Sequence, residues 1–178
     1  MRFAIVGAGK VGATLAGAFA TIGHEIVFAA RDPPSASVQN ALAALGGVAR
    51  ALPLAEGAAE AEIVVLATPW AGTESAVRGL GPLGERILID CTNPLPPDLS
   101  LVVGHSVSGG ELVAGWADGG RVVKAFNTTG FANMADPRYP DGAATMFLGG
   151  DHPDARRVVA DLAAEIGFDP VDCGPLRQ

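Results

Sequence analysis

The sequence is poor in the residue types that build disulfide frameworks, metal sites and nucleic-acid-binding surfaces. Its 178 residues include two cysteines, three histidines, and twelve lysines and arginines against nineteen aspartates and glutamates. The net charge of −7 disfavours nucleic acid or an acidic membrane as a partner, because such a surface repels polyanions. Cys91 and Cys173 form no CxxC motif, so we expect no disulfide framework and a reducing, cytoplasmic location.

The sequence also lacks an apolar run of about 18 to 20 residues, the length that a membrane-spanning helix needs. No membrane partner is therefore expected, although the mean hydropathy of +0.32 is high. The histidines His24, His105 and His152 show neither an i, i+4 spacing nor a neighbouring cysteine, so no metal site is predicted. Apolar residues make up 49% and charged residues 17%, a composition that excludes intrinsic disorder.

Short apolar runs alternate with helix-like stretches from one end of the chain to the other. The predicted strands are Arg2–Val6, Glu25–Ala29, Val48–Ala51, Ile63–Thr68, Arg86–Cys91, Arg121–Phe126, Thr145–Leu148 and Pro170–Cys173. The segments 94–107 and 129–143 are too polar or too rich in Gly and Pro for core elements. Among the predicted helices, one is capped by Ser35 or Ser37 and a short one begins with a capping box of Ser108 and Glu111. A third, over residues 151–166, is expected to carry Val158, Leu162 and Ile166 on its apolar face. This alternation predicts one α/β domain over residues 1–178, a Rossmann-type doubly wound, mostly parallel sheet with helices on both faces.

A glycine-rich loop follows the first predicted strand. Gly7-Ala8-Gly9-Lys10-Val11-Gly12 is a G-x-G-x-x-G motif that ends at the start of a predicted helix. The first glycine permits a tight turn, the second lets the backbone approach a pyrophosphate, and the third lets the helix pack on the strand. Because a helix N-terminus attracts anions, the motif predicts a dinucleotide site. The alternative is a glycine-rich turn without a ligand.

The end of the second predicted strand indicates which dinucleotide binds. NAD sites usually place Asp or Glu there to accept the ribose 2′-hydroxyl. Here that position is Ala30, and Arg31 follows it, so a guanidinium can bind the 2′-phosphate of NADP and stack on the adenine. In the alternative reading Asp32 is the acidic residue and Arg31 is solvated, but Asp32 precedes two prolines and is expected to start a turn.

Polar and small residues end three further strands, at the sheet edge where ligands of doubly wound folds bind. Thr68-Pro69-Trp70 and Asn93-Pro94 are expected beside the ribose and nicotinamide, with an ordinary Asn-Pro turn as the alternative for Asn93. Asn127-Thr128-Thr129-Gly130-Phe131 is a candidate substrate loop, and a plain connecting loop is its alternative. Lys124 is interpreted as an edge-strand or cofactor-side residue, with a catalytic lysine as the weaker reading.

These segments together resemble the NADP oxidoreductase, coenzyme F(420)-dependent family. The resemblance rests on GAGKVG, GHEIVFAAR, LATPW, DCTNPL, VVKAFNTTGFANM and DCGPL, and it covers essentially the whole chain. The same segments are similar to the cytoplasmic domain of the six-transmembrane ferric reductases. The resemblance implies NADP(H) as cofactor and 8-hydroxy-5-deazaflavin, coenzyme F(420), as the second substrate.

The resemblance also implies roles for particular residues. By this match Gly7–Gly12 hold the pyrophosphate, Arg31 the 2′-phosphate, and Thr68, Pro69 and Trp70 the cofactor-side loop. Asn127–Phe131 lie beside the deazaflavin, and Gly174, Pro175 and Leu176 form the closing wall. Hydride transfer between two rings needs no obligatory side-chain proton, so no catalytic side chain is assigned.

Two departures from the family's pattern leave the second substrate open. Asn127 stands where members that reduce the deazaflavin often carry His, and members usually continue past Gly-Pro-Leu with a helical tail. One alternative is an NADPH-dependent reductase of a small imine or carbonyl, like the N-terminal half of pyrroline-5-carboxylate reductases. Another is a non-catalytic NADP-binding sensor. The expected partners are a small-molecule redox partner and, in a further reading, a second copy of the chain.

Overall fold

Strands and helices alternate along the part of the chain that the computed structural model describes, residues 1–95, 102–104 and 106–177. The strands are β1 (Arg2–Val6), β2 (Glu25–Ala30), β3 (Ala49–Pro53), β4 (Ile63–Leu66), β5 (Ile87–Asp90), β6 (Arg121–Lys124), β7 (Arg138–Tyr139), β8 (Gly142–Ala143), β9 (Thr145–Gly150) and β10 (Asp169–Asp172). The helices are α1 (Lys10–Thr21), α2 (Ala36–Ala44), α3 (Leu54–Glu60), α4 (Trp70–Arg78), α5 (Gly109–Trp116), α6 (Phe131–Ala135) and α7 (Pro153–Glu165).

Eight strands form one sheet in the order β10-β9-β6-β5-β4-β1-β2-β3. From β3 to β6 every neighbouring pair is parallel, β9 runs antiparallel to β6, and β10 is parallel to β9. The strand order reverses at β1, which lies between β2 and β4. The predicted fold class, a Rossmann-type, mostly parallel sheet, is confirmed.

Helices cover both faces of this sheet, and each face has its own apolar core. Along β1, Phe3 and Ile5 face the core formed with α1, α2 and α7, whereas Ala4 and Val6 face the core formed with α3, α4 and α5. Because successive strand residues point to opposite faces, a strand buried on both sides must be apolar throughout. This explains why β1, β4 and β5 read as continuous apolar runs.

Helix boundaries agree with the sequence signals in part. The predicted capping box at α5 is present, since the Ser108 hydroxyl accepts from the Glu111 N–H and the Glu111 carboxylate accepts from the Ser108 N–H. Ser35 is the N-cap residue of α2, but its side chain makes no capping bond. In α7 it is Val159, rather than the predicted Val158, that is fully buried.

Two sequence-based expectations need correction. The segment 129–143 contributes to the core after all, because α6 buries Met134 against the α1 side of the sheet. Lys124 does not lie on an edge strand: β6 is flanked by β5 and β9. The segment 94–107 lies partly outside the described residues.

The turn between β1 and α1 has almost no space for side chains. Gly7 has a φ of 106°, a conformation that L side chains rarely adopt. A Cβ on Gly12 would overlap the carbonyl oxygen of Gly7, whereas a Cβ on Gly9 would meet nothing within 4 Å. The third glycine of the motif is therefore required by backbone packing, and the second faces open space.

This difference predicts that alanine lowers the stability of the protein at Gly12 and leaves it nearly unchanged at Gly9. Gly12→Ala is expected to lower the free energy of unfolding by about 3 kcal/mol, because α1 must move away from β1. Gly9→Ala is the matched control and is expected to stay within about 1 kcal/mol of wild type. Urea unfolding followed by circular dichroism measures both, and equal losses for the two variants would contradict the assignment of Gly12 to packing.

Candidate functional site

A cleft of about 880 Å³ opens at the carboxyl ends of the parallel strands, beside the reversal of strand order at β1. This is where ligands bind in open α/β sheets. Most of the predicted cofactor residues line the cleft: Gly7, Ala8, Gly9, Lys10, Val11, Ala30, Arg31, Thr68, Pro69, Trp70 and Asn93. Gly12 packs beneath the turn instead, and Leu95 rather than Pro94 reaches the lining.

The N-terminus of α1 points its free N–H groups into this cleft. Gly9 is the N-cap residue, no side chain of the described residues caps the helix, and its first turn has no acidic residue. The first-turn N–H groups and the positive end of the helix dipole therefore remain available for an anion. A twelve-residue helix presents this dipole in full, and the open space beside Gly9 lets a ligand reach the backbone.

Arg31 lies in the cleft lining just past the end of β2, the strand next to β1. Its side chain is exposed and, among the described residues, it joins no ion pair or hydrogen bond. Asp32 is also in the lining, and its carbonyl accepts from the Ser35 N–H in a turn, as expected from the sequence. Ser35 and Ser37 complete this corner, with their hydroxyl oxygens 3.5 Å apart. The sequence indicated both serines only as helix caps.

Thr68 and Trp70 form the wall that follows β4. The Thr68 hydroxyl lies 3.0 Å from that of Thr73, whose own hydroxyl donates to the Pro69 carbonyl. Trp70 packs against Trp116 of α5, with ring centroids 5.6 Å apart. This wall is therefore held by contacts within the protein, a buried threonine and an aromatic pair.

The predicted substrate loop lies next to the cleft, not in its lining. Phe126 precedes it with a φ of 62°, the one non-glycine residue of the described chain with a positive φ. That conformation turns the chain sharply after β6, and the Asn127 carbonyl accepts from Asn93 Nδ2 at 2.9 Å. Phe131 lies under the Lys10 ammonium, which is 5.1 Å from its ring centroid. Thr128, Thr129 and Gly130 connect these two contacts.

Gly174, Pro175 and Leu176 lie apart from the described lining of the cleft. The Gly174 carbonyl accepts from the Gly150 N–H, and the Leu176 N–H donates to the Asp151 carboxylate. The Leu176 side chain packs toward Gly110 of α5. This segment is therefore joined to β9 and α5, and its predicted role as a closing wall stays a prediction.

Few ionisable groups reach the cleft from the described residues: Lys10, Arg31, Asp32 and Cys91. Burial raises the pKa of the Cys91 thiol, with the neighbouring Asp90 carboxylate adding to the effect. Cys91 is consequently a neutral, small apolar residue and no nucleophile. Among the described residues no group of three His, Cys, Asp or Glu side chains could hold a metal ion, and His105 lies outside them.

A buried ion pair beside the cleft is a feature that sequence reasoning missed. Asp90 ends β5 and is fully buried, and the Lys124 ammonium lies 2.9 Å from its carboxylate. The register of the parallel strands β5 and β6 places Asp90 opposite Lys124. The signal in the sequence was a lysine directly after the apolar residues Val122 and Val123 of β6, and the sequence did not identify its partner.

None of the described helices is long and apolar enough to cross a membrane.

The family of NADP oxidoreductases, coenzyme F420-dependent, matches residues 2–94, which include the glycine loop, Arg31 and Asn93. A curated relative is the metalloreductase STEAP3 of Rattus norvegicus, 27% identical over 98% of this chain. The chain spans about a third of that relative's length, 34%.

Solved structures share both fold and sequence with the chain. A provisionally named F420-dependent NADP-reductase from Arthrobacter sp. FB24 is 32% identical, with a TM-score of 0.90 over 99% of this chain and 86% of that one. The hypothetical protein SMa0349 from Sinorhizobium meliloti is 34% identical, with a TM-score of 0.87 over the same shares.

An imine reductase from Bacillus cereus BAG3X2 shares the fold alone, at 16% identity and a TM-score of 0.65, over 98% of this chain and 55% of that one. The family match covers more than half of the chain and includes every described lining residue of the cleft except Leu95. The chain belongs to the NADP oxidoreductase, coenzyme F420-dependent, family.

Proposed function

We propose that the chain binds NADP(H) across the cleft and transfers hydride between its nicotinamide and a flavin-like ring, in the first place a deazaflavin. In this arrangement the N-terminus of α1 holds the pyrophosphate and Arg31 holds the 2′-phosphate. The observation that carries the proposal is that one cleft contains both a helix N-terminus and an arginine guanidinium for which the described residues supply neither a capping side chain nor a partner. Each is a site for an anion in a protein whose net charge is −7.

The residues of the cleft fit a bound dinucleotide. A volume of about 880 Å³ is within the usual range of roughly 300–1,000 Å³ for small-molecule and cofactor sites. Arg31 and Asn93 follow β2 and β5, which are three strand spacings apart, or about 14 Å. A dinucleotide extended across the strand ends would place its adenosine at Arg31 and its nicotinamide at Asn93.

The chemistry requires little of the side chains. Bound NADP(H) supplies the hydride donor or acceptor, and the protein aligns two rings at about 3 to 3.5 Å and excludes water. The described lining contains no buried acid–base pair, which suits direct hydride transfer and does not favour a hydroxy-acid dehydrogenase. Phe131, 42% exposed beside Lys10, is an aromatic surface near the expected nicotinamide end.

Relatives support the type of acceptor without fixing it. The Arthrobacter protein is named for coenzyme F420 and the rat relative for metal reduction. The protein from Bacillus cereus reduces imines according to its name. We propose a deazaflavin because the family that matches residues 2–94 is named for coenzyme F420. The Arthrobacter protein, also named for F420, is 32% identical to this chain, against 27% for the rat metalloreductase and 16% for the imine reductase.

Arg31→Ala tests the 2′-phosphate site. Loss of its charge-assisted hydrogen bonds should weaken NADPH binding by about 10- to 100-fold, because such bonds contribute roughly 1.5–3 kcal/mol. NADH lacks the 2′-phosphate, so its affinity should change less than about threefold. Calorimetric titration of both cofactors gives the two dissociation constants. Arg157→Ala is the control, since it removes an exposed arginine of α7. Equal losses of NADPH and NADH affinity in Arg31→Ala would refute the role of Arg31 in binding the 2′-phosphate.

Anaerobic oxidation of NADPH tests the acceptor. The wild-type protein is offered 8-hydroxy-5-deazaflavin, a flavin, a ferric chelate and a cyclic imine separately, and the loss of NADPH absorbance is followed. Turnover should be fastest with the deazaflavin and should fall in Arg31→Ala. Fastest turnover with the imine would indicate the reductase alternative. Tight NADPH binding without turnover on any acceptor would indicate a non-catalytic sensor.

A further inference from the structure

Lys124 and Asp90 form an ion pair at the carboxyl end of the sheet interior, next to the cleft. Asp90 is fully buried and the Lys124 side chain is 19% exposed, with 2.9 Å between Nζ and Oδ2. A buried carboxylate is unfavourable unless it is paired and fully hydrogen-bonded. The function assigned to the cleft does not by itself require this pair, so its presence needs a separate explanation.

Both members of the pair bind Thr92, the second residue after β5. Asp90 Oδ1 accepts from the Thr92 N–H at 2.9 Å and from the Thr92 hydroxyl at 2.7 Å. The Lys124 ammonium also donates to the Thr92 carbonyl. Thr92 is 3% exposed and lines the cleft, so three hydrogen bonds fix its backbone and side chain at the wall of the site.

The fixed position of Thr92 determines where Asn93 stands. Asn93 is exposed in the cleft, and its Nδ2 donates to the Asn127 carbonyl at 2.9 Å. Its Oδ1 lies 3.4 Å from Asn127 Nδ2. The loops after β5 and β6 are thereby tied to each other and, through Thr92, to the buried pair. These contacts lie at the end of the cleft opposite Arg31.

We propose that Asp90 and Lys124 are positioning residues that hold Thr92 and Asn93 in the geometry needed to bind the nicotinamide half of NADP(H). This inference rests on the proposed function. Neither residue touches the cofactor in this account; each acts through Thr92. A pair that only stabilised the fold would affect both halves of the dinucleotide alike, whereas a positioning pair affects the nicotinamide half selectively.

Lys124→Met tests this role, because it keeps much of the apolar stem and removes the ammonium. Calorimetry measures binding of NADP⁺ and of 2′-phospho-ADP-ribose, which has no nicotinamide. The wild type should bind NADP⁺ more tightly than the fragment. In Lys124→Met the NADP⁺ affinity should fall by about tenfold, the effect of one charge-assisted hydrogen bond, with fragment affinity unchanged.

Three further variants separate positioning from stability. Lys124→Arg keeps the charge and should retain most of the preference for NADP⁺. The double variant Asp90→Asn/Lys124→Met leaves no unpaired buried charge, so it should fold while the preference stays lost. Arg156→Met is the matched control: it breaks another partly buried ion pair, with Asp172, away from the cleft, and should leave the preference intact.

The outcomes distinguish this inference from the proposed function. The positioning role is overturned if folded Lys124→Met or the double variant keeps the wild-type preference, or if Arg156→Met loses it equally. If the wild type binds both probes with the same affinity, the adenosine site stands and the positioning role falls. If the wild type binds neither probe, the proposed function itself fails and the inference fails with it.

Discussion

The close passage of α1 over the turn after β1 is the constraint on which the site depends. No side chain fits between Gly12 and the Gly7 carbonyl, and α1 begins after a turn of only three residues, Gly7–Gly9. The N–H groups at the N-terminus of α1 therefore lie where the strand order reverses, at β1 between β2 and β4. A wider turn would move these donors away from the cleft and remove the local attraction for an anion.

Local donors decide anion binding here in spite of the overall charge. The net charge of −7 repels a phosphorylated nucleotide at long range, but salt at physiological strength screens exposed charges beyond about 8 Å. In the proposed complex the helix N-terminus and Arg31 would act on the nucleotide at contact distance within the cleft. The buried Asp90–Lys124 pair adds order at the other end of the cleft without adding net charge. We infer that the two ends have different tasks, charge recognition at Arg31 and orientation at Asn93.

The sequence predicted the parts of this structure that depend on local pattern. Apolar strands such as Arg2–Val6, the glycine loop and the capping box at Ser108 each follow from short-range rules, and all three are confirmed. The antiparallel direction of β9 was not predicted, because the apolar pattern of a strand does not indicate whether it runs parallel or antiparallel to its neighbour. The Asp90–Lys124 pair was missed because it depends on the register of β5 and β6, which join residues 34 positions apart.

A crystal structure with NADP⁺ tests the central claim most directly. We expect pyrophosphate oxygens on the first-turn N–H groups of α1 beside Gly9, the 2′-phosphate on the Arg31 guanidinium and the nicotinamide near Asn93. A nucleotide bound with its adenosine at Asn93, or outside this cleft, would contradict the account even if the affinity were high.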